Sequence, residues 1–290
     1  MPRGKSINLY LMDGEVSGRI KCTLANWTGV VFRIPRTSLE LCKERDDLRQ
    51  SGIYFLFGKD EQTDREVVYI GQAGVRKNGE GLLYRLFEHN RNPKKDYWNE
   101  AIAITTSNDS LGPTEISYLE HRFCQLAINA NRYEVKNGND PTPGNPSEEK
   151  RSELEDFIDY ARIIVGTLGH KVFVPLVSSD DTVSGMSEIE LYCVRGDANA
   201  TGVRTAEGFV VKKGSKISSE IKKSCPEYII KKRGKYKEQI NKDYVLLTDI
   251  LFNSPSGAAS FICGSSANGN IEWKTADSIT LKELDANTGK

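Results

Sequence analysis

Residues 7–36 alternate short apolar stretches (7–12, 19–24 and 30–34) with glycine-containing turns, a pattern that predicts a small β ribbon. Ser38 is placed to cap a helix through Leu39, Leu41 and Leu48 that ends before Ser51-Gly52. Apolar runs at 52–58, 67–71 and 101–106 then read as strands, and apolar residues at helical spacing predict helices near 81–91 and over about 114–130. Pro, Gly and Asn gather at 137–150, which can continue neither a helix nor a ladder and so marks a linker. Beyond it Leu154, Phe157, Ile158, Ala161, Ile164, Val165 and Leu168 recur at helical spacing, as in a connecting helix. A second polar break covers 177–187. The expected organisation is an N-terminal ribbon and helix (1–50), a central α/β unit (51–140), a linker with its helix (141–185) and a small α+β domain (186–290).

Composition narrows the class. At about 150 residues per domain, 290 residues make roughly two domains. With 38% hydrophobic and 28% charged residues the chain can build packed cores and is not disordered. No apolar run approaches the about 20 residues of a membrane helix. Asp13 and Glu15 interrupt the start before a signal-peptide core could form, so a cytoplasmic protein is expected. Six cysteines are spread singly without a CxxC pair, which fits reduced thiols better than a zinc site.

Forty basic and forty acidic side chains cancel, so any hint of a polyanionic partner must be local. Residues 204–242 hold twelve Lys or Arg against four acids, including Lys212, Lys213, Lys231, Lys232, Arg233 and Lys235. That asymmetry suits a nucleic-acid docking surface, although a solvated basic face has the same composition. Arg91, Lys94 and Lys95 form a second candidate phosphate-contacting loop, with the same alternative.

The candidate chemistry lies between these regions. Gly52-Ile53-Tyr54 and Tyr69-Ile70-Gly71 look like two strands of one hairpin around a polar turn. Tyr54 and Tyr69 share a face only if paired positions sum to an odd number, such as 54 opposite 71 and 56 opposite 69. Tyrosine is also simply a good sheet residue. On the next helix Arg85 and His89 stand four apart, hence on one flank, where each could equally be a solvated charge. On the later helix Glu120 falls about 40° past Ile116, bordering the apolar stripe. A carboxylate there is partly desolvated, as in a metal ligand or an ion pair with Arg122 or Arg85.

The succession of GIY, YIG, a helix with Arg85 and His89, and Glu120 within YLEHRF resembles the GIY-YIG nuclease superfamily over about residues 50–140. The resemblance implies a small central antiparallel sheet flanked by helices and a metal-dependent endonuclease hydrolysing DNA phosphodiester bonds. It further implies one Mg²⁺ or Mn²⁺ ion per site, held by Glu120. Tyr54 would activate or orient the attacking water, His89 would take the proton, Tyr69 would position water or phosphate, and Arg85 would balance phosphoryl charge. Ionising a phenol near neutrality requires about 4 kcal/mol of stabilisation, expected from Arg85, the ion and His89 together. Members also carry an asparagine after the glutamate helix. Arg132-Tyr133-Glu134-Val135 stands there in this chain, leaving Asn131 or Asn137 to substitute.

By the same analogy the setting is prokaryotic defence, restriction or DNA processing, and a symmetric duplex cut would take a homodimer or two visits. RNA offers the same phosphate chemistry. Residues from 252 onward resemble an uncharacterised C-terminal domain often found behind GIY-YIG modules, and more distantly a domain associated with restriction enzymes and adenine methylases. Such a domain would select where DNA is cut. Within it Ser254 is placed to cap a short helix, and Asn268-Gly269 reads as a turn before Trp273. The competing function is a non-catalytic nucleic-acid-binding or adaptor protein on a nuclease-like scaffold.

Overall fold

A computed structural model describes residues 4–75, 81–138, 141–177 and 189–288. The chain divides into two compact units, Met1–Pro175 and Leu176–Lys290. Both are mixed α+β.

The first unit runs β1 (Ile7–Leu11), β2 (Ile20–Leu24), β3 (Gly29–Pro35), β4 (Gly52–Lys59), β5 (Glu66–Ala73), α1 (Leu82–Asn90), β6 (Trp98–Thr106), α2 (Pro113–Ala130), β7 (Glu134–Val135) and α3 (Glu148–Thr167). Its seven-stranded sheet has the order β1-β2-β3-β6-β4-β5-β7. The pairings are antiparallel except β5 with β7. The N-terminal ribbon is therefore the outer part of this sheet. The reason lies in β3, whose Val30, Val31, Phe32 and Ile34 are all buried. A strand apolar on both faces needs cover on both, and it has it inside the sheet: beside β6, Val31 packs with residues of α2 and α3, while Val30, Phe32 and Ile34 pack with Leu39 and Leu48.

No helix starts at Ser38. Instead 3-10 turns occupy Arg36–Cys42 and Asp46–Leu48, with Pro35 at the first N-cap and no side-chain cap. Leu39 and Cys42, the buried pair of the first turn, stand three apart, a spacing that suits three residues per turn.

Side chains alternate between two cores across this sheet. Ile53, Phe55, Val68, Ile70, Ile102 and Ile104 pack with residues of α2 and α3. Tyr54, Leu56, Ala101 and Ala103 pack instead with Leu39 and Leu48 and with Leu82, Leu83 and Leu86 of α1. The expected connecting helix is α3, capped by Ser147, whose hydroxyl accepts from the Lys150 amide at 3.3 Å. It belongs to the first unit, burying Leu154, Phe157, Ile158, Ala161, Ile164 and Val165 in that unit's core. Part of the expected linker, 139–140, lies outside the described residues. Beyond it the Pro141 carbonyl is 2.8 Å from Nδ1 of His121 on α2.

The second unit contains β8 (Leu191–Arg195), β9 (Ala198–Thr205), β10 (Gly208–Val211), α4 (Glu227–Lys235), β11 (Ile250–Phe252), α5 (Pro255–Cys263), α6 (Gly269–Glu272) and α7 (Leu281–Thr288). Its antiparallel sheet has the order β11-β10-β9-β8. Phe209, Phe252, Phe261 and Trp273 anchor a separate core. Ser254 caps α5, accepting from the Gly257 amide at 3.1 Å. Asn268-Gly269 begins a helix instead of a turn, because the Asn268 carboxamide accepts from the Asn270 amide at 3.1 Å and caps α6. The second polar break, from 178 onward, lies outside the described residues. Among the described residues no helix is long and apolar enough to cross a membrane.

Candidate functional site

The register of the β4–β5 hairpin sets Tyr54 opposite Gly71 and Leu56 opposite Tyr69, so both tyrosines project from one face. The glycines of the two tripeptides then have separate steric duties. A Cβ on Gly71 would lie 2.2 Å from the Tyr54 hydroxyl, so that glycine is the space the hydroxyl occupies. A Cβ on Gly52 would meet the Ile104 carbonyl at 2.2 Å, so close pairing of β4 with β6 excludes a side chain there.

Helix α1 covers this face and brings His89 to the hydroxyl, with Tyr54 Oη and His89 Nε2 2.7 Å apart. The Tyr54, Tyr69 and His89 rings form a triangle with centroids 6.2, 5.3 and 5.3 Å apart. Arg85, one turn before His89, lies beside Tyr54 and is paired with Glu88 at 2.6 Å. Lys95, expected to reach for phosphate, is half-buried with Nζ 3.0 Å from the Tyr69 ring centroid.

Burial dominates the electrostatics of these groups. Burial pushes the Tyr54 phenol far above its ordinary value and Tyr69 adds to the rise, while Arg85 only partly opposes them. Tyr54 is therefore protonated at neutrality. Burial, reinforced by Lys95 and Arg85, holds His89 down at about 3, so the imidazole is neutral. A neutral imidazole protonated on Nδ1 accepts the phenol's hydrogen at Nε2, whereas the other tautomer donates to the phenol oxygen. Lys95 is lowered to about 8 by burial and by Arg85, and burial raises nearby Tyr97 to about 12.

Glu120 approaches from α2. Its Oε2 accepts from the Gln72 amide at 2.9 Å, and Gln72 is also 3.3 Å from the Ser117 hydroxyl. Neither arginine considered as its ion-pair partner takes that role, since Arg122 binds Glu155 at 2.6 Å and Arg85 binds Glu88. Gln72 alternates to the sheet face opposite Tyr54 and Tyr69, yet Glu120 still raises both phenols and is itself drawn down by Arg85. Burial leaves the half-buried Glu120 carboxyl above its ordinary value.

Of the two candidate asparagines, Asn137 bonds backbone groups and not these side chains. Asn137 clamps the β5 backbone, accepting from the Ile70 amide at 3.0 Å and donating to the Ile70 carbonyl at 2.7 Å. Asn131 ends α2 in the left-handed region at φ 50°. Sequence reasoning missed Gln72, Ser117 and Tyr97. Gln72 was detectable as the polar residue after the second tripeptide, on the α2 side of the strand.

The basic residues of the second unit separate by environment. Arg233 leaves the docking set: it is buried, and its guanidinium donates to the carbonyls of Ser218, Phe261 and Ile262 at 2.5–3.2 Å. Lys232 donates to the Leu251 carbonyl at 2.8 Å, with its Nζ 4.0 Å from the Phe252 ring centroid. Lys212 pairs with Glu190 and Lys231 with Glu227. Lys213 and Lys235 are exposed, as are Arg91 and Lys94 in the first unit.

Residues 191–285 match a family described as a domain of unknown function, DUF4357. No curated protein and no solved structure matches the chain.

Proposed function

We propose that the first unit is a GIY-YIG-type endonuclease that hydrolyses DNA phosphodiester bonds, and that the second unit selects where it acts. The observation carrying this proposal is the 2.7 Å contact between Tyr54 and His89, with Tyr69 and Arg85 beside it and the Glu120 charge within reach. Glu120 fits a hard divalent cation such as Mg²⁺, since its half-buried carboxylate is bonded to a neutral amide and is short of positive charge. Among the described residues no His/Cys/Asp/Glu cluster of three forms around it, which accords with an ion that keeps most of its waters. When bound, the ion would neutralise phosphate charge and make a coordinated water more acidic.

The protein's own groups then divide the remaining work. Because Tyr54 is protonated and His89 is not, the phenol acts as a relay. It gives its hydrogen to His89 Nε2 as it takes one from the attacking water. Arg85, permanently charged, counters the negative charge that gathers on the phosphoryl oxygens. Lys95 over the Tyr69 ring adds a second cation at the same mouth.

The test is incubation of plasmid and single-stranded DNA with Mg²⁺ and the purified protein, beside Tyr54→Phe and Glu120→Ala. Each variant is expected to lose about a hundredfold or more of the cleavage rate. Equal nicking by all three proteins overturns the assignment.

A further inference from the structure

Three donors from separate parts of the second unit meet within it. Cys193 on β8, Cys263 at the last position of α5 and Glu272 at the last position of α6 each bring one donor atom within 4.8 Å of the others. We propose that these three side chains form a site for a thiophilic divalent cation, Zn²⁺ by preference, with water or a substrate atom as fourth donor.

Geometry carries the proposal. The two sulfurs stand 3.9 Å apart and neither is in a disulfide. In a tetrahedral site with Zn–S bonds of about 2.3 Å, two sulfurs are separated by about 3.8 Å, so the pair needs little movement to receive the ion. Two thiolates and a carboxylate suit borderline-soft zinc and would be poor company for Mg²⁺. Arg195 Nη1 donates to Glu272 Oε1 at 3.0 Å, a contact that would orient the carboxylate. Two thiolates, one carboxylate, one dication and one guanidinium sum to zero, so the filled site adds no net charge to the core. The C-terminal end of α5, where Cys263 sits, also favours a cation.

Glu272 also lines a cleft of about 510 Å³ with Tyr192, Val194, Ile271, Lys274 and Thr275.

The decisive experiment titrates reduced, metal-free full-length protein with Co²⁺ and then Zn²⁺. Co²⁺ is expected to produce thiolate-to-metal charge-transfer absorption that saturates at one equivalent and is bleached by Zn²⁺. Glu272→Gln should keep that absorption and weaken the affinity by at least about tenfold. Cys193→Ser and Cys263→Ser should each diminish it. Should either serine variant fail to fold, the wild-type and Glu272→Gln titrations decide. The proposal is overturned if the reduced wild-type protein binds no Co²⁺, if it binds without a thiolate band, or if Glu272→Gln binds as tightly as wild type. It is also overturned if the thiols merely oxidise to a Cys193–Cys263 disulfide while the reduced protein takes up no metal.

Discussion

Burial keeps His89 uncharged beside Tyr54, and this has a cost at low pH. Between about pH 6.5 and about 3 the unfolded chain's imidazole binds a proton that the folded one refuses, so acidification favours unfolding. Stability is expected to fall by about 1.4 kcal/mol per pH unit through that window, a contribution absent above it. Urea unfolding measured from pH 7 to 5 should reveal the slope, and His89→Gln should flatten it. Gly71 gives a second expectation at this scale. An alanine there puts a methyl where the Tyr54 hydroxyl lies, so Gly71→Ala should destabilise by about 1–3 kcal/mol and disturb the contact between Tyr54 and His89. Unfolding at neutral pH tests the first effect, and the NMR shift of the His89 ring tests the second.

Among the elements, the β5 edge is held by a side chain. Pairing with β7 ends at Val68, and the Asn137 carboxamide then takes over the ladder by bonding both backbone groups of Ile70. Asn137→Ala should cost about 1–3 kcal/mol and speed hydrogen exchange at the Ile70 amide, next to Tyr69. An unchanged exchange rate would contradict the clamp. The sequence was most legible where period and register sufficed: the hairpin parity, α1, α2, α3 and the Ser254 cap follow from local rules. It was least legible where a distant partner decides. Nothing local says that β3 must seek β6, that Glu120 meets Gln72 instead of an arginine, or that Arg233 turns inward onto carbonyls. The phenol's desolvation was hidden for the same reason, since it depends on what covers a group in space.

At the level of the whole molecule, two units whose cores share no members should unfold separately. Trp273 is buried in the core of the second unit, with its indole N–H donating to the Pro255 carbonyl at 2.9 Å. Trp273→Ala is expected to weaken that unit by about 3–5 kcal/mol and leave the other unit's transition in place. Calorimetry that shows both transitions falling together would refute their independence. Zero net charge over the molecule also hides the location of its surface cations. Arg91, Lys94, Lys213 and Lys235 are exposed, whereas Arg233, equally basic in sequence, supports the fold.

The tyrosine hairpin closes at Asp60, whose amide bonds the Arg65 carbonyl at 2.9 Å, several residue pairs beyond the match of Tyr54 with Gly71. Cross-strand pairing, and not the count of intervening residues, fixes where the two hydroxyl-bearing rings stand. The loop tip is thus a graft point: an epitope or fluorophore inserted between Asp60 and Arg65 would ride on the hairpin without altering its chemistry.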